Sequence, residues 1–250
     1  MNRMNRSWMA AALTLSLMVC AAPTLAADLF YESFNGATFP PAGWTISNLA
    51  GTAITWKTTT TIADDNLTGG TGAAAMIYSS GNPRTIYNAA LVSPAISIPG
   101  TSGNYQLRFC HLLETWSGDE TADVDITTNS GTTWTNLWQR KNVDRELATP
   151  SIPLGNYLGK TVQLRFRYYN TTTNAWDLYW QVDDVRVSSI LTGDINADNH
   201  VNVGDLQRLI AAWGSNNSGT WGNWNPNADL NQDGAINVSD LLVLVANWGI

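Results

Sequence analysis

The sequence predicts a mainly β chain, a β-sandwich or jelly roll followed by a small all-α module at its C-terminal end. Three observations predict this. Apolar residues alternate with period two between Asp28 and Ser189, and turn clusters such as TNSGTTW and NTTTN separate the alternating runs. Close to the end, two nearly identical acid-rich phrases are each followed by an apolar pattern of helical period.

The first residues read as a processing signal. Arg3 and Arg6 precede the apolar run MAAALTLSLMVCAA, and PTLA then offers small residues for cleavage, so a signal peptide is expected over 1–26. That run is too short for a comfortable span, and no other stretch is long enough. The mature chain is therefore expected to be secreted or attached to the cell surface. Net charge is −7, which argues against a nucleic-acid partner because phosphate binding needs clustered Lys and Arg. Cleavage removes Cys20 and leaves Cys110 without a disulfide partner. Cys110 and His111 are neighbours on a predicted strand and should face opposite ways, which makes an inert thiol the simpler reading.

Within 27–189 the strands are legible from their phase. YQLRF places Tyr105, Leu107 and Phe109 on one face, ADVDIT does so with Val124 and Ile126, and VQLRFRY with Val162, Leu164, Phe166 and Tyr168. Strands without alternating helices make a sandwich. In LFYESF, Phe30, Glu32 and Phe34 share a face, so a carboxylate would sit between two aromatic rings and need a partner. In YWQVDDVRV, Trp180 and Val182 follow one phase but Val185 and Val187 the other, which predicts a β-bulge at Asp183–Asp184. If the first and last strands are neighbours, Glu32 and Asp184, in preference to Asp183, could hold a structural calcium. Pairing of Glu32 with an Arg, or exposure at the sheet edge, is the alternative.

Residues for catalysis are harder to find. Glycoside hydrolysis needs two carboxyls roughly 5–10 Å apart across a cleft. Asp123 and Asp125 should look outward, and Glu114, Asp119 and Glu120 flank the loop TWSGDE, where solvation explains them. We identify no nucleophile motif, His/Cys metal cluster or phosphate-cradling loop in the sequence. Among the aromatics, Trp116 and Trp176 lie in loop-like settings and are candidate glycan contacts, since sugar rings stack on indole faces.

The tail is the most explicit segment. GDINADNHVNVGDL is followed thirty-five residues later by ADLNQDGAINVSDL. Asp194, Asn196, Asp198, His200 and Asp205 fall at positions 1, 3, 5, 7 and 12 of a twelve-residue loop. Asp229, Asn231, Asp233, Ala235 and Asp240 repeat that spacing. This is the spacing of an EF-hand calcium loop, in which side chains at 1, 3, 5 and 12 and a backbone carbonyl at 7 wrap a hard cation. Asn199 and Gly234 occupy the sharp turn at position 6. Val201 and Ile236 at position 8 are expected to pair the two loops through a short bridge. Leu206, Leu209, Ile210 and Trp213, and then Leu241, Leu244, Val245 and Trp248, form two stripes expected to pack on each other, with Gly214 and Gly249 as helix C-caps.

At these residues the tail, 190–250, resembles a type I dockerin, including Asp rather than Glu at position 12. The resemblance implies two bound Ca2+ and docking onto a cohesin domain of a scaffold or surface protein. Recognition would involve positions 10 and 11, here Val203 and Gly204, then Val238 and Ser239 in place of a Ser-Thr pair. The region before it resembles MAM-like jelly rolls of the choice-of-anchor J or cleaved adhesin type. The phrases ESFNGATFPPAGWTISN, LVSPAISIP, NSGTTWTNLWQR, GKTVQLRFRYYN and WQVDDVRV carry that resemblance in order. Together these imply a non-catalytic binding or adhesion protein with a glycan or protein ligand, linked to polysaccharide processing. Two alternatives stay open: an accessory or divergent glycoside hydrolase carrying the same tail, and a calcium-stabilised surface protein without a cohesin partner.

Overall fold

The computed structural model describes residues 28–79, 85–100, 104–115, 119–141, 143–171, 178–196, 198, 200–217, 223–231 and 233–249. The expected signal peptide, Trp116, Trp176 and Asn199 lie outside them. The strands are β1 (Asp28–Glu32), β2 (Thr45–Asn48), β3 (Trp56–Thr58), β4 (Ala75–Tyr78), β5 (Asn88–Val92), β6 (Ile96–Ser97) and β7 (Asn104–Glu114). They continue with β8 (Thr121–Thr127), β9 (Thr135–Lys141), β10 (Glu146–Ala148), β11 (Ser151–Pro153), β12 (Thr161–Tyr169) and β13 (Tyr179–Ile190). Helix α1 (Thr59–Ile62) is a single turn, whereas α2 (Val203–Ala211) and α3 (Val238–Ala246) belong to the tail.

The strand pairings among the described residues are all antiparallel and build two sheets. The first runs β10-β7-β13-β4-β3, with β1 added beside β13 and β11 beside β7; the second runs β2-β5-β12-β8-β9, with β6 beside β12. The sequence phases place the core. Leu107, Phe109, Val124, Leu164, Phe166, Tyr168 and Trp180 are all 0% exposed and belong to one cluster shared by the two sheets. Trp180 lies at the centre, 5.5 Å edge-on to Trp56 and 6.0 Å from the stacked Trp138. Truncating such a residue to Ala costs about 3–5 kcal/mol.

β1 and β13 are neighbours, with Glu32 opposite Val185, and the β13 register shifts between Asp183 and Arg186 where the phase break predicts a bulge. Asp184 takes a left-handed φ of 48° there. This lets Trp180, Val182, Val185 and Val187 all reach the core, each 0% exposed.

The tail has its own small core of Ile195, Val201, Leu209, Ala212, Ala228, Ile236 and Leu244, with Leu191, Leu206 and Leu241 packed against it. Two sequence expectations are corrected here. Val201 and Ile236 do not bridge each other. Instead the Gly249 amide donates to the Val201 carbonyl and the Gly214 amide to the Ile236 carbonyl, each at 2.9 Å. The stripes also split: Leu209 and Leu244 are buried, but Ile210 (59% exposed), Trp213, Val245 and Trp248 face outward. The helices end at Ala211 and Ala246, before either Trp, and loop residues fill the space the full stripe would have needed. A 3-10 helix, Pro226–Ala228, leads into the second loop beside β11, and Asp229 and Gly234 share a cleft of about 230 Å³ with Pro153 and Gly155.

Candidate metal centres and docking face

In the first tail loop, ligand oxygens of Asp194, Asp198 and Asp205 lie within 4.8 Å of one another, with Asp194 and Asp205 buried. Backbone amides set this convergence. Asp205 Oδ1 accepts from the Ile195 and Asn196 amides at 2.7 and 3.1 Å, and its Oδ2 accepts from the Asn202 amide at 2.8 Å. Asp240 repeats the pattern, with Leu230 and Asn231 on Oδ1 at 2.8 and 3.3 Å and Asn237 on Oδ2 at 2.9 Å. The Asp198 and Asp233 amides donate to Asp194 Oδ1 and Asp229 Oδ1, both at 3.1 Å. Amides of His200 and Ala235 donate to Asp198 and Asp233 at 2.9 Å, which turns the chain so that the position-7 carbonyls can follow. Burial raises the Asp229 carboxyl above its ordinary range, and the neighbouring Asp240 and Asp233 charges add to the shift.

Sequence reasoning missed the caps. Asn202 and Asn237 at loop position 9 are N-caps of α2 and α3, and Asp205 and Asp240 close capping boxes with them. The N-x-x-D spacing before an apolar run was the available signal. Each position-12 aspartate thus ties its loop to its helix. A donor set of carboxylates, Asn amide oxygens and a backbone carbonyl is the oxygen-rich set a hard cation such as calcium takes.

The cohesin-binding candidates divide. Val203 and Val238 are more than half exposed and Ser239 is exposed, whereas Gly204 is half-buried with its amide on Asn202 Oδ1 at 2.7 Å. Val203, Ile210 and Trp213 are exposed along α2 and its end, and Val238, Leu242, Val245 and Trp248 along α3. The two sets are offset by thirty-five residues, like the loops. A pair of exposed apolar stripes on so small a module is a candidate interaction surface.

A second acid cluster forms where β1 meets the β13 bulge. Glu32 Oε1 accepts from the Phe34 amide at 2.7 Å, and Asp184 Oδ1 accepts from the Tyr31 hydroxyl at 2.5 Å. Asp183, fully buried, takes the Asn66 side-chain amide at 2.7 Å and the Asp184 amide at 2.7 Å. Both Asp183 and Asp184 crowd Gly70, where an added Cβ would lie 2.2 Å from Asp183 Oδ2. Burial pushes the Asp183 carboxyl up to about 6, with further raising from the Asp184 and Glu32 charges. Asn66 lies far away in sequence and carried no signal.

The carboxylates weighed for hydrolysis are engaged elsewhere. Asp123 and Asp125 lie opposite the core residues Val124 and Ile126, but at 4% exposed each they are buried under neighbouring side chains and not open to solvent as expected. Asp125 receives Arg165 at 2.8 and 2.9 Å, and Asp123 receives Gln139 at 2.8 Å with Arg167 at 3.7 Å. Glu114 accepts from Arg145 and Tyr179. Glu120 is not solvated as expected: it is 0% exposed and accepts the Leu178 amide at 3.1 Å. His111 is buried in the core between Phe109 and Trp138, where desolvation and then Arg140 lower it to about 4. Cys110 faces the other way, and burial raises its thiol, which lowers the thiolate fraction.

A duplicated oxygen-lined loop joined to one capped helix per repeat defines a calcium-binding module. Residues 192–247 match the family described as the dockerin type I domain, and this part of the chain is such a domain. No curated protein matches the chain. The preceding β-rich region resembles solved cleaved adhesin domains of Lys-gingipain from Porphyromonas gingivalis W83. For K1 the identity is 17%, covering 64% of this chain and 96% of that one, with a TM-score of 0.46. For K3 the values are 18%, 65%, 99% and 0.45. TmCBM61, solved with β-1,4-galactotriose, is similar at 13% identity over 63% of this chain and 94% of its own, with a TM-score of 0.42. No helix among the described residues is long and apolar enough to cross a membrane.

Proposed function

We propose that this is a secreted, non-catalytic binding protein whose dockerin, 190–250, attaches the sandwich, 27–189, to a cohesin-bearing scaffold or cell-surface assembly. The observation that carries the reading is the match of 192–247 to the dockerin family together with two repeats, each joining an acid loop to an exposed apolar stripe. Asp194, Asn196, Asp198, the His200 carbonyl and Asp205 would hold one Ca2+. Asp229, Asn231, Asp233, the Ala235 carbonyl and Asp240 would hold the second. The ions neutralise acids that otherwise repel and fix each loop to its helix, which presents the stripes. Glu32, Asp183 and Asp184 would hold a further Ca2+ in the sandwich; including Asp183 departs from the Asp184 preference because its carboxylate converges on the same point near Gly70. The sandwich engages a glycan in a polysaccharide-processing setting. Arginine pairing of Asp123 and Asp125 favours binding over hydrolysis.

The test is surface plasmon resonance of the mature chain, 27–250, over immobilised cohesin domains, in calcium and in chelator. Binding in calcium that chelator abolishes supports the reading. Absence of binding to every cohesin, or binding indifferent to calcium, would leave the tail a structural end piece.

A further inference from the structure

The sandwich carries a cleft of about 610 Å³ between the segment 34–39 on one side and α1 with residues 72–73 on the other. Its volume is within the roughly 300–1,000 Å³ range of small-ligand sites. The chemistry of its wall is unusual for so acidic a chain, because among the described residues no charged side chain lines it. Thr38, Thr58, Thr60 and Thr61 supply hydroxyls, Asn35 an amide and Phe39 an aromatic edge. Thr58 and Thr61 bond each other at 2.8 Å, whereas the Thr38 and Thr60 hydroxyls have no partner among the described residues.

The walls are held in place. Phe34 takes a left-handed φ of 54°, rare for a bulky residue, with its amide on Glu32 and its ring 5.3 Å edge-on to Trp44. Asn35 spans the cleft's end, donating to the Thr71 carbonyl at 2.9 Å and accepting the Ala73 amide at 2.6 Å. An added Cβ on Gly72 would meet Asn35 Oδ1 at 2.0 Å, so only glycine admits that strap. Backbone strain locked by surrounding contacts is a feature of ligand clamps. A preformed cleft also reduces the ordering cost of binding.

We propose that this cleft binds a neutral glycan, an inference that rests on the glycan reading of the sandwich. An uncharged wall offers neither attraction nor compensation to an ionic ligand. Free hydroxyls that both donate and accept match the vicinal hydroxyls of an uncharged sugar, with Phe39 at one edge for a ring face. Glu32 holds the Phe34 amide on one wall, and Asp183 and Asp184 crowd Gly70, two residues before Gly72 on the other.

The experiment begins with the mature chain on an array of neutral polysaccharides: xylan, galactan, mannan and mixed-linkage β-glucan. Calorimetry with an oligosaccharide of the strongest binder then compares Thr38→Trp and Thr60→Trp, which fill the cleft from exposed positions, with Trp134→Ala, whose ring lies outside the cleft with the Arg165 guanidinium 4.4 Å from its centre. The expected result is at least tenfold weaker binding for both filling variants, an unchanged affinity for Trp134→Ala, and unchanged melting temperatures. If a glycan binds and the filling variants keep wild-type affinity, the cleft assignment is overturned while the glycan reading stands. If no polysaccharide binds, the glycan reading itself fails.

Discussion

The Gly249 amide donates to the Val201 carbonyl at 2.9 Å, so the end of the second helix holds the inward residue of the first calcium loop. The Gly214–Ile236 bond reciprocates at the same distance. Each repeat therefore ties its end to the loop of the other.

This interlock predicts that damage to one loop is felt in both. Asp240→Ala removes the acceptor of three backbone amides and should destabilise the tail by about 3 kcal/mol. Nuclear magnetic resonance of the Val201 and Gly214 amides would show shifts in the undamaged first repeat. Changes confined to the second repeat would mean that the loops act separately.

Trp213 and Trp248 are 44% and 47% exposed and lie past their helix ends. Replacing either with Ala should change stability by less than about 1 kcal/mol. Loss at a docking hot spot is typically 2 kcal/mol or more, so cohesin affinity should fall at least about tenfold for the stripe that is used. A double variant with undiminished affinity would place recognition elsewhere.

Asp183 makes a prediction of opposite sign with and without the ion. Its carboxylate is buried and pushed up to about 6, so in chelator Asp183→Asn should raise the melting temperature near neutral pH by relieving a desolvated charge. In calcium the same variant should lose much of the thermal shift that the ion gives the sandwich. Differential scanning fluorimetry, following the sandwich transition, reads both. A calcium shift equal to wild type would remove Asp183 from the metal site.

His111 sets an acid limit. Its pKa is lowered from 6.5 to about 4, so the unfolded chain binds the proton more readily. Stability from this group is complete above about pH 6.5 and falls as pH drops towards 4, by about 3 kcal/mol in all. Asp183 slopes the opposite way between its ordinary value and about 6, so the comparison must be wild type against His111→Leu at each pH. Urea midpoints should diverge below pH 6.5 in favour of the variant. Parallel profiles would show that His111 does not titrate on unfolding.

Much of the fold was legible because one face of each strand is dry. The phase break at Asp183–Asp184 located a bulge, and the shared face of Phe30, Glu32 and Phe34 pointed to the acid cluster. Loop spacing alone also groups Asp194, Asp198 and Asp205. What sequence could not supply was long-range: Asn66 reaching Asp183, Glu120 buried against Leu178, and the crossed pairing of the tail repeats. The stripes were misread for a different reason. A periodic apolar pattern reports which side chains are apolar, and a small core has room for only some of them, so Ile210 and Val245 turn to solvent.

The decisive experiment is a calorimetric calcium titration of the chelator-treated mature chain, repeated with Asp205→Ala and Asp240→Ala combined. An ion in each tail loop and one beside Glu32 are expected for the wild type, with only the sandwich ion surviving in the double variant. Identical stoichiometry in the two proteins would contradict the assignment of the duplicated loops as calcium sites, and with it calcium-dependent docking.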